Sequence, residues 1–139
     1  MKQLEKLQLY PNFFNFIERD IFNSTHFTLS TFQYSSGVEA LRIKIGRGEF
    51  VWLPFLGQLI WDWKVDGVSQ KFSGFMTEPS YGKNFLENYG AFMIPCGFTG
   101  MGNPKPEDQH LHHGERPVSH FDQAWIEFSD NKDFPIAIC

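Results

Sequence analysis

The sequence predicts an all-β fold of antiparallel strands, and its rings, its periodicity and its turns each support that expectation. Sixteen Phe, four Trp and four Tyr in 139 residues stand against only 20% charged residues. Large rings suit the half-buried faces of strands, whereas a helical bundle draws on Ala, Leu, Glu and Lys. From His26 onward apolar residues recur at every second position, and Gly or Asp-Gly pairs separate the runs; this is the strand period with hairpin punctuation. A chain of this length fits one domain over residues 1–139, able to bury roughly two thirds of its unfolded surface.

The first 25 residues are the exception to that period. Leu4 and Leu7, then Phe13, Phe14, Phe16, Ile17 and Ile21, fall near helical spacing on either side of Tyr10-Pro11, which predicts a short N-terminal helix or turn over 12–22 lying on a sheet. THFTLSTFQY then alternates Phe27 and Leu29 with threonines up to Ser35-Ser36-Gly37, a half-buried strand. VEALRIKIG is the next strand, ending at a Gly46-Arg47-Gly48 turn. Pro54 and Gly57 divide the apolar stretch that follows into FVWL and QLIWDWKV, two strands with a bulge or tight turn between them. Asp66-Gly67 predicts a hairpin pairing QLIWDWKV with SQKFSGF. TEPSYGKNFLEN reads as a loop with a helical turn, GAFMIPCGF as a buried strand broken by Pro95, and DQAWIEF as a final alternating strand. The apolar FPIAIC resembles one more strand, which must close the sheet, pair with a second copy through its unpaired edge, or continue into a longer chain.

Composition excludes several function classes. Twelve Lys and Arg against sixteen Asp and Glu give a net charge of −4 without a basic cluster, so no nucleic acid partner is expected. No apolar run reaches a membrane span and the N-terminus lacks a signal core. Two cysteines, Cys96 and Cys139, do not make a disulfide framework, and a cytoplasmic location is the default expectation.

The candidate site is the run EDQHLHHGERPVSH, which holds four of the five histidines and follows the Gly-rich GAFMIPCGFTGMGNP. Imidazoles titrate near neutrality and each needs partners for two ring nitrogens. A connection of about twenty residues carrying four of them is expected to be functional. In extended backbone His110 and His112 share a face and His113 takes the other. His110 and His112 with Glu107 or Glu115 offer a two-His, one-carboxylate metal set, or a solvated pair. His113 before Gly114 lets the chain turn and present the ring to a cavity, where it would bond a hydroxyl or transfer a proton; the other reading is a structural His bridging loop carbonyls. His120 is expected to start a strand and pack. Cys96 has no cationic neighbour in sequence and reads as a small apolar side chain. Asp62, between Trp61 and Trp63, is a turn carboxylate or part of a ring-stacking sugar platform, with core packing the safer account of at least two of the tryptophans. GFTGMG lacks the Gly-Lys-Ser/Thr of a phosphate loop.

YSSGVEALRIKIGRGEFVWLPFLGQLIWDWKVDG, followed by FMTEPSYGKNFLENYGAFMIPCGFTGMGNPKPEDQHLHHGERP, resembles the N-terminal half of aldose 1-epimerase-like proteins of the galactose mutarotase-like superfamily. The likeness covers most of residues 8–125. It implies an antiparallel β-sandwich, in a truncated or short form, with a carbohydrate site on one concave sheet. The family's Leu-His-Gly-Gly element lines up with Leu111 to Gly114, so that His113 takes the place of a catalytic histidine, and Asn88 falls in the region of the family's Asn-Arg pair.

That resemblance implies a carbohydrate-binding isomerase working without a cofactor. Mutarotation needs a base for the anomeric hydroxyl proton and an acid for the ring oxygen. His113 and Glu115 are the candidate catalytic residues, and His110, His112, Glu107 and Asn88 the candidate sugar-binding ones. In the family a second histidine and a glutamate base come from the later half of the chain, so the resemblance also implies reduced or lost turnover here. Two other classes stay open: a carbohydrate-binding module without catalysis, and a metal-dependent cupin-like enzyme using His110, His112 and Glu115.

Overall fold

The structure is a computed structural model and describes residues 5–74, 76–128 and 136–138. It is built from strands β1 (Glu5–Leu9), β2 (Arg19–Asn23), β3 (Phe27–Gln33), β4 (Glu39–Ile45), β5 (Gly48–Trp52), β6 (Ile60–Val65), β7 (Val68–Ser69), β8 (Ala124–Phe128) and β9 (Ile136–Ile138). They form two antiparallel sheets, a six-stranded meander in the order β2-β3-β4-β5-β6-β7 and a three-stranded sheet in the order β1-β8-β9. The expected all-β, antiparallel and sandwich-like architecture is present. The expected final strand also has a partner, because Ile136–Ile138 pairs with β8.

The hairpins follow from local chemistry. Asp66 and Gly67 both take positive φ, 50° and 79°, the geometry of the two-residue turns whose twist matches flanking strands. They seat Val65 opposite Val68. Gly46, at φ 55°, does the same between β4 and β5.

One core lies between the sheets. Leu9, Ala124, Ile126 and Phe128 of the smaller sheet pack on Phe27, Leu29, Leu41, Ile43 and Trp52 of the larger one. The alternation that places these side chains inward leaves Ala40 and Val51 on the opposite face, where Val38, Leu53, Leu56, Leu59 and Trp61 form a second core. Met76, Ala91 and Ile94 cover it. Both faces of the six-stranded sheet are therefore occupied. Trp52 and Trp61 are core residues, whereas Trp63 is open to solvent and stacks on Phe50 with centroids 6.0 Å apart. Asp62 accepts a 2.6 Å hydrogen bond from the Ser69 hydroxyl across the β6–β7 hairpin, which is a structural role.

Three expectations are corrected. There is no short N-terminal helix over 12–22. A single 3-10 turn spans Pro11–Phe13 and Arg19–Asn23 is a strand on the edge of the larger sheet. The apolar spacing fits a helix, but Asn15 bends the chain locally: its side-chain oxygen accepts from the Ile17 amide and its carbonyl from the Gln33 amide. Such side-chain to backbone bonds compete with helix. The segment before β2 is therefore irregular, with Phe14 in the core and Phe16 72% exposed although the two are only two residues apart. Second, GAFMIPCGF is not a buried strand. Only Met93 pairs, with Ile60, and Phe92 and Met93 are exposed; Gly90, Pro95 and Gly97 interrupt any ladder. Third, SQKFSGF contributes only Ser69 to the sheet, which with Val68 before it makes up β7, and Phe75 lies outside the described residues. No helix among the described residues is long and apolar enough to cross a membrane. Cys96 is a free thiol, and Cys139 lies outside the described residues.

Candidate functional site

The histidine segment is anchored at both ends on the same frame. After Leu53 the chain turns back at Gly57 and Gln58, at φ 56° and 54°, and the Leu53 amide bonds the Leu59 carbonyl. Residues 119–121 clasp this turn: the Gly57 amide bonds the Ser119 carbonyl and the Phe121 amide the Phe55 carbonyl, both at 2.9 Å. A Cβ on Gly57 would lie 2.9 Å from the Arg116 and Pro117 carbonyl oxygens. Arg116 donates to the Gln58 side chain at 2.9 Å, its guanidinium lying over the Phe98 ring.

Within this frame the loop is tied to itself by backbone bonds. The Gly97 amide reaches the His113 carbonyl (3.1 Å), the His113 amide the Gly102 carbonyl (2.9 Å) and the Arg116 amide the Gly97 carbonyl (2.8 Å). His113 stands at φ 60° and Gly114 at φ 83°. A left-handed His is costly and persists where its surroundings impose it. Here they do, since Gly114 packs directly against the Gly97 and Gly100 carbonyls.

The ring this presents meets Phe85. His113 and Phe85 centroids are 4.3 Å apart, His112 lies 5.3 Å from Phe85 and 4.4 Å from His113. The Nδ1 atom of His113 is buried and has no hydrogen-bond partner among the described residues. The reading of His113 as a bridge between loop carbonyls therefore has no support at Nδ1. A partner at one ring nitrogen normally decides which nitrogen carries the proton. With none at Nδ1, the ring is not held to one tautomer from that side, and the unmet bond costs about 1–3 kcal/mol. Phe85 also lines a half-open cleft of 290 Å³ with Phe72, Tyr89, Phe92, Ile94 and Cys96.

No family model, curated protein or solved structure matches this chain. The site is therefore read from its own geometry.

The remaining candidate residues are dispersed around His113. Glu115 accepts from the Thr99 hydroxyl at 2.6 Å and from the Thr99 amide at 3.2 Å. The Thr99 hydroxyl first, with backbone amides after it, holds the Glu115 carboxyl below the usual carboxylate range, so it stays an anion and fastens the loop. His110 donates from Nδ1 to the Leu111 carbonyl at 2.7 Å, with Nε2 3.6 Å from Asp108. Its ring lies against Gly100, where a Cβ would overlap it. Glu107 is exposed and, with Thr99, Asp108, Gln109 and His110, borders a separate polar cleft of 460 Å³. Asn88 is fully buried, and its amide is committed to both the amide and carbonyl of Ser80 at 2.9 Å. It acts on the site through the 3-10 turn Phe85–Asn88, which carries Phe85. Asn84 caps that turn by accepting from the Leu86 amide.

The cupin-like set of His110, His112 and Glu115 does not converge. Each of the three has a different neighbour: Asp108, Phe85 and Thr99. Among the described residues no three His, Cys, Asp or Glu side chains are placed to hold a metal ion. His120 forms an isolated bridge with Leu56, and its exposed ring stacks on Phe55.

Phe72, Phe85, Tyr89 and Phe92 were not legible as site residues, because their aromatic composition is equally that of a core. Arg116 had a weak signal in its position two residues beyond Gly114, but its partner Gln58 is distant in sequence.

Proposed function

We propose that the protein binds a carbohydrate at the cleft beside His113, as an aldose 1-epimerase-like member of the galactose mutarotase-like group. The observation that carries this reading is the His113 imidazole, held in left-handed backbone against Phe85 with a ring nitrogen that has no partner among the described residues. Aromatic walls beside polar tips suit a sugar, whose C–H faces stack while its hydroxyls bond. The segment resemblance and the two antiparallel sheets support the same assignment.

The reaction that goes with this reading is epimerisation at the anomeric carbon. A base removes the O1 proton as an acid protonates the ring oxygen, the ring opens, and the carbonyl is attacked again from either face. His113 is the acid or hydrogen-bond donor in this scheme, with Glu115 as the supporting carboxylate and Glu107, His110 and His112 nearby. A second reading, binding without turnover, is favoured by Glu115 itself: a carboxylate fastened to Thr99 and held below its ordinary pKa is a weak base near neutrality.

Exchange NMR and polarimetry with freshly dissolved glucose and galactose separate the two. Acceleration above buffer catalysis that disappears in His113→Ala identifies an epimerase. Saturation-transfer binding without acceleration identifies a binding module. Full sugar affinity in His113→Ala would overturn the site.

A further inference from the structure

The two sheets leave an open seam at one side of the sandwich. Among the described residues β1 pairs only with β8 and β2 only with β3, so both are edge strands. A cleft of 410 Å³ opens beside them, within the size range of small-molecule sites. Leu7 of β1, Phe13 and Ile21 are its apolar wall, and all three pack against the intersheet core. Asn12, Asn15 and Arg19 form its polar side.

The register of β2 aims Arg19 into this seam. Arg19 stands opposite Thr31, a fully buried residue whose hydroxyl donates to the Phe13 carbonyl at 2.7 Å. Residues paired across an antiparallel ladder share a face, so Arg19 leaves β2 toward the space between the sheets. Asp20 also borders the cleft, but it stands opposite Ser30 and accepts the Ser30 hydroxyl at 2.7 Å on the other face of the sheet. The bulge between Asp20 and Phe22 then brings Ile21 to the core side.

The polar groups of the seam are donors without acceptors. Arg42 and Arg47 each bind a carboxylate and Arg116 the Gln58 side-chain oxygen, whereas among the described residues Arg19 binds no side chain. Asn15 commits its side-chain oxygen to the Ile17 amide at 3.0 Å, which leaves its amide nitrogen to donate. An inward arginine and a bulge also discourage a further strand from pairing with an edge. That role needs only water around the cation, and here the cation shares a cleft with two side-chain amides and three apolar side chains. A guanidinium with amide donors recognises a carboxylate through forked, charge-assisted hydrogen bonds, and the apolar wall suits a hydrocarbon.

We infer that the seam binds a small carboxylate carrying a hydrocarbon tail, its head on Arg19 with Asn12 and Asn15 and its tail along Leu7, Phe13 and Ile21. The seam and the cleft beside His113 are lined by different residues, so this site stands or falls apart from the carbohydrate reading.

Calorimetric titration of the full chain with octanoate, butanoate and octan-1-ol tests head and tail separately. Octanoate is expected to bind about tenfold tighter than octan-1-ol, which lacks the charge, and about tenfold or more tighter than butanoate, which lacks four methylenes. Arg19 is exposed, so its replacement leaves the core intact. Arg19→Gln is expected to bring octanoate down to the level of octan-1-ol without changing octan-1-ol binding. Arg19→Lys, which keeps a charge on the edge but loses the fork, should fall between the two. Tyr89→Ala, in the other cleft, should leave octanoate binding as it is. Unchanged octanoate affinity in Arg19→Gln would make Arg19 a guard of the edge alone and overturn the inference. Equal affinity for octanoate and octan-1-ol, a loss in Tyr89→Ala instead of Arg19→Gln, or no octanoate binding would overturn it as well.

Discussion

Gly114 packs against Gly97 so closely that a methyl group on Gly114 would collide with the Gly97 carbonyl oxygen and lie 2.5 Å from that of Gly100. The Gly97 carbonyl in turn accepts the Arg116 amide. The two glycines therefore hold the start and end of the histidine loop together, and His113 takes its left-handed backbone from that closure.

Gly114→Ala is accordingly expected to open the loop. Positive φ costs an L-residue about 1–2 kcal/mol, and two backbone carbonyls cannot step aside as a flexible side chain could. Ligand binding should be lost and the melting temperature lowered. Gly102→Ala is the control: its φ is 76°, but nothing lies within 4 Å of the added carbon. It should cost only the backbone strain, about 1 kcal/mol, and keep binding. Equal effects of the two substitutions in thermal melts and titrations would remove the closure argument.

The contrast between these glycines shows what the sequence could carry. His113-Gly114 was readable because a His-Gly pair signals a left-handed turn with an exposed ring. That Gly97 would be its packing partner was not, since the contact depends on how residues 97–116 fold back. Much of the meander β3 to β7 was readable because its strands have a period of two and Gly46-Arg47 and Asp66-Gly67 fix the β4–β5 and β6–β7 turns. Residues 12–22 misled because Phe13, Phe14, Phe16, Ile17 and Ile21 fit helical spacing, while the pairing of Arg19 with Thr31 that makes β2 a strand is long-range. GAFMIPCGF misled because its apolar residues border a cleft as much as a core.

His113 also predicts a trade between stability and function. Its buried Nδ1 lacks a partner, and replacing an unsatisfied polar ring with an apolar ring of similar shape is neutral or stabilising. His113→Phe keeps the stacking on Phe85 and the backbone strain while deleting the orphan nitrogen. It should melt at or above the wild-type temperature, by up to about 1 kcal/mol, while losing sugar binding. His112→Phe lacks such an orphan and should show no gain. A clear drop in stability for His113→Phe would mean that the ring nitrogens are already satisfied in the fold.

A charged network sits across the larger sheet, and it predicts acid lability. Arg42 donates to Glu49 at 2.5 Å and to Glu18 at 2.7 Å, and Lys64 lies 3.4 Å from Glu49. Burial pushes the Glu49 carboxyl up, but Arg42 and Lys64 together outweigh it and hold the group below the usual carboxylate range. A depressed folded pKa stabilises fully above the unfolded value of roughly 4.3 and loses that stabilisation as pH falls through the folded value. The melting temperature should therefore fall as pH drops below this range. Glu49→Gln should flatten that fall and cost about 1 kcal/mol at neutral pH, a partly exposed ion pair being worth less than a buried one. Identical acid profiles for the variant and the parent would show that Glu49 does not contribute.

The packing of the two sheets is tested at Ile126. This side chain is fully buried on β8, between β1 and β9 in its own sheet, and shares a core with Leu29, Leu41 and Ile43 of the other. Its truncation removes apolar contacts at the centre of the intersheet layer, where neighbours on both sheets are fixed by their ladders and cannot collapse into the gap. Ile126→Ala should therefore cost about 2–5 kcal/mol, measured by denaturant unfolding. Trp63→Ala changes an exposed ring stacked on Phe50 and should cost about 1 kcal/mol. A small loss at Ile126, comparable to that at Trp63, would mean that the three-stranded sheet does not pack on the meander in solution.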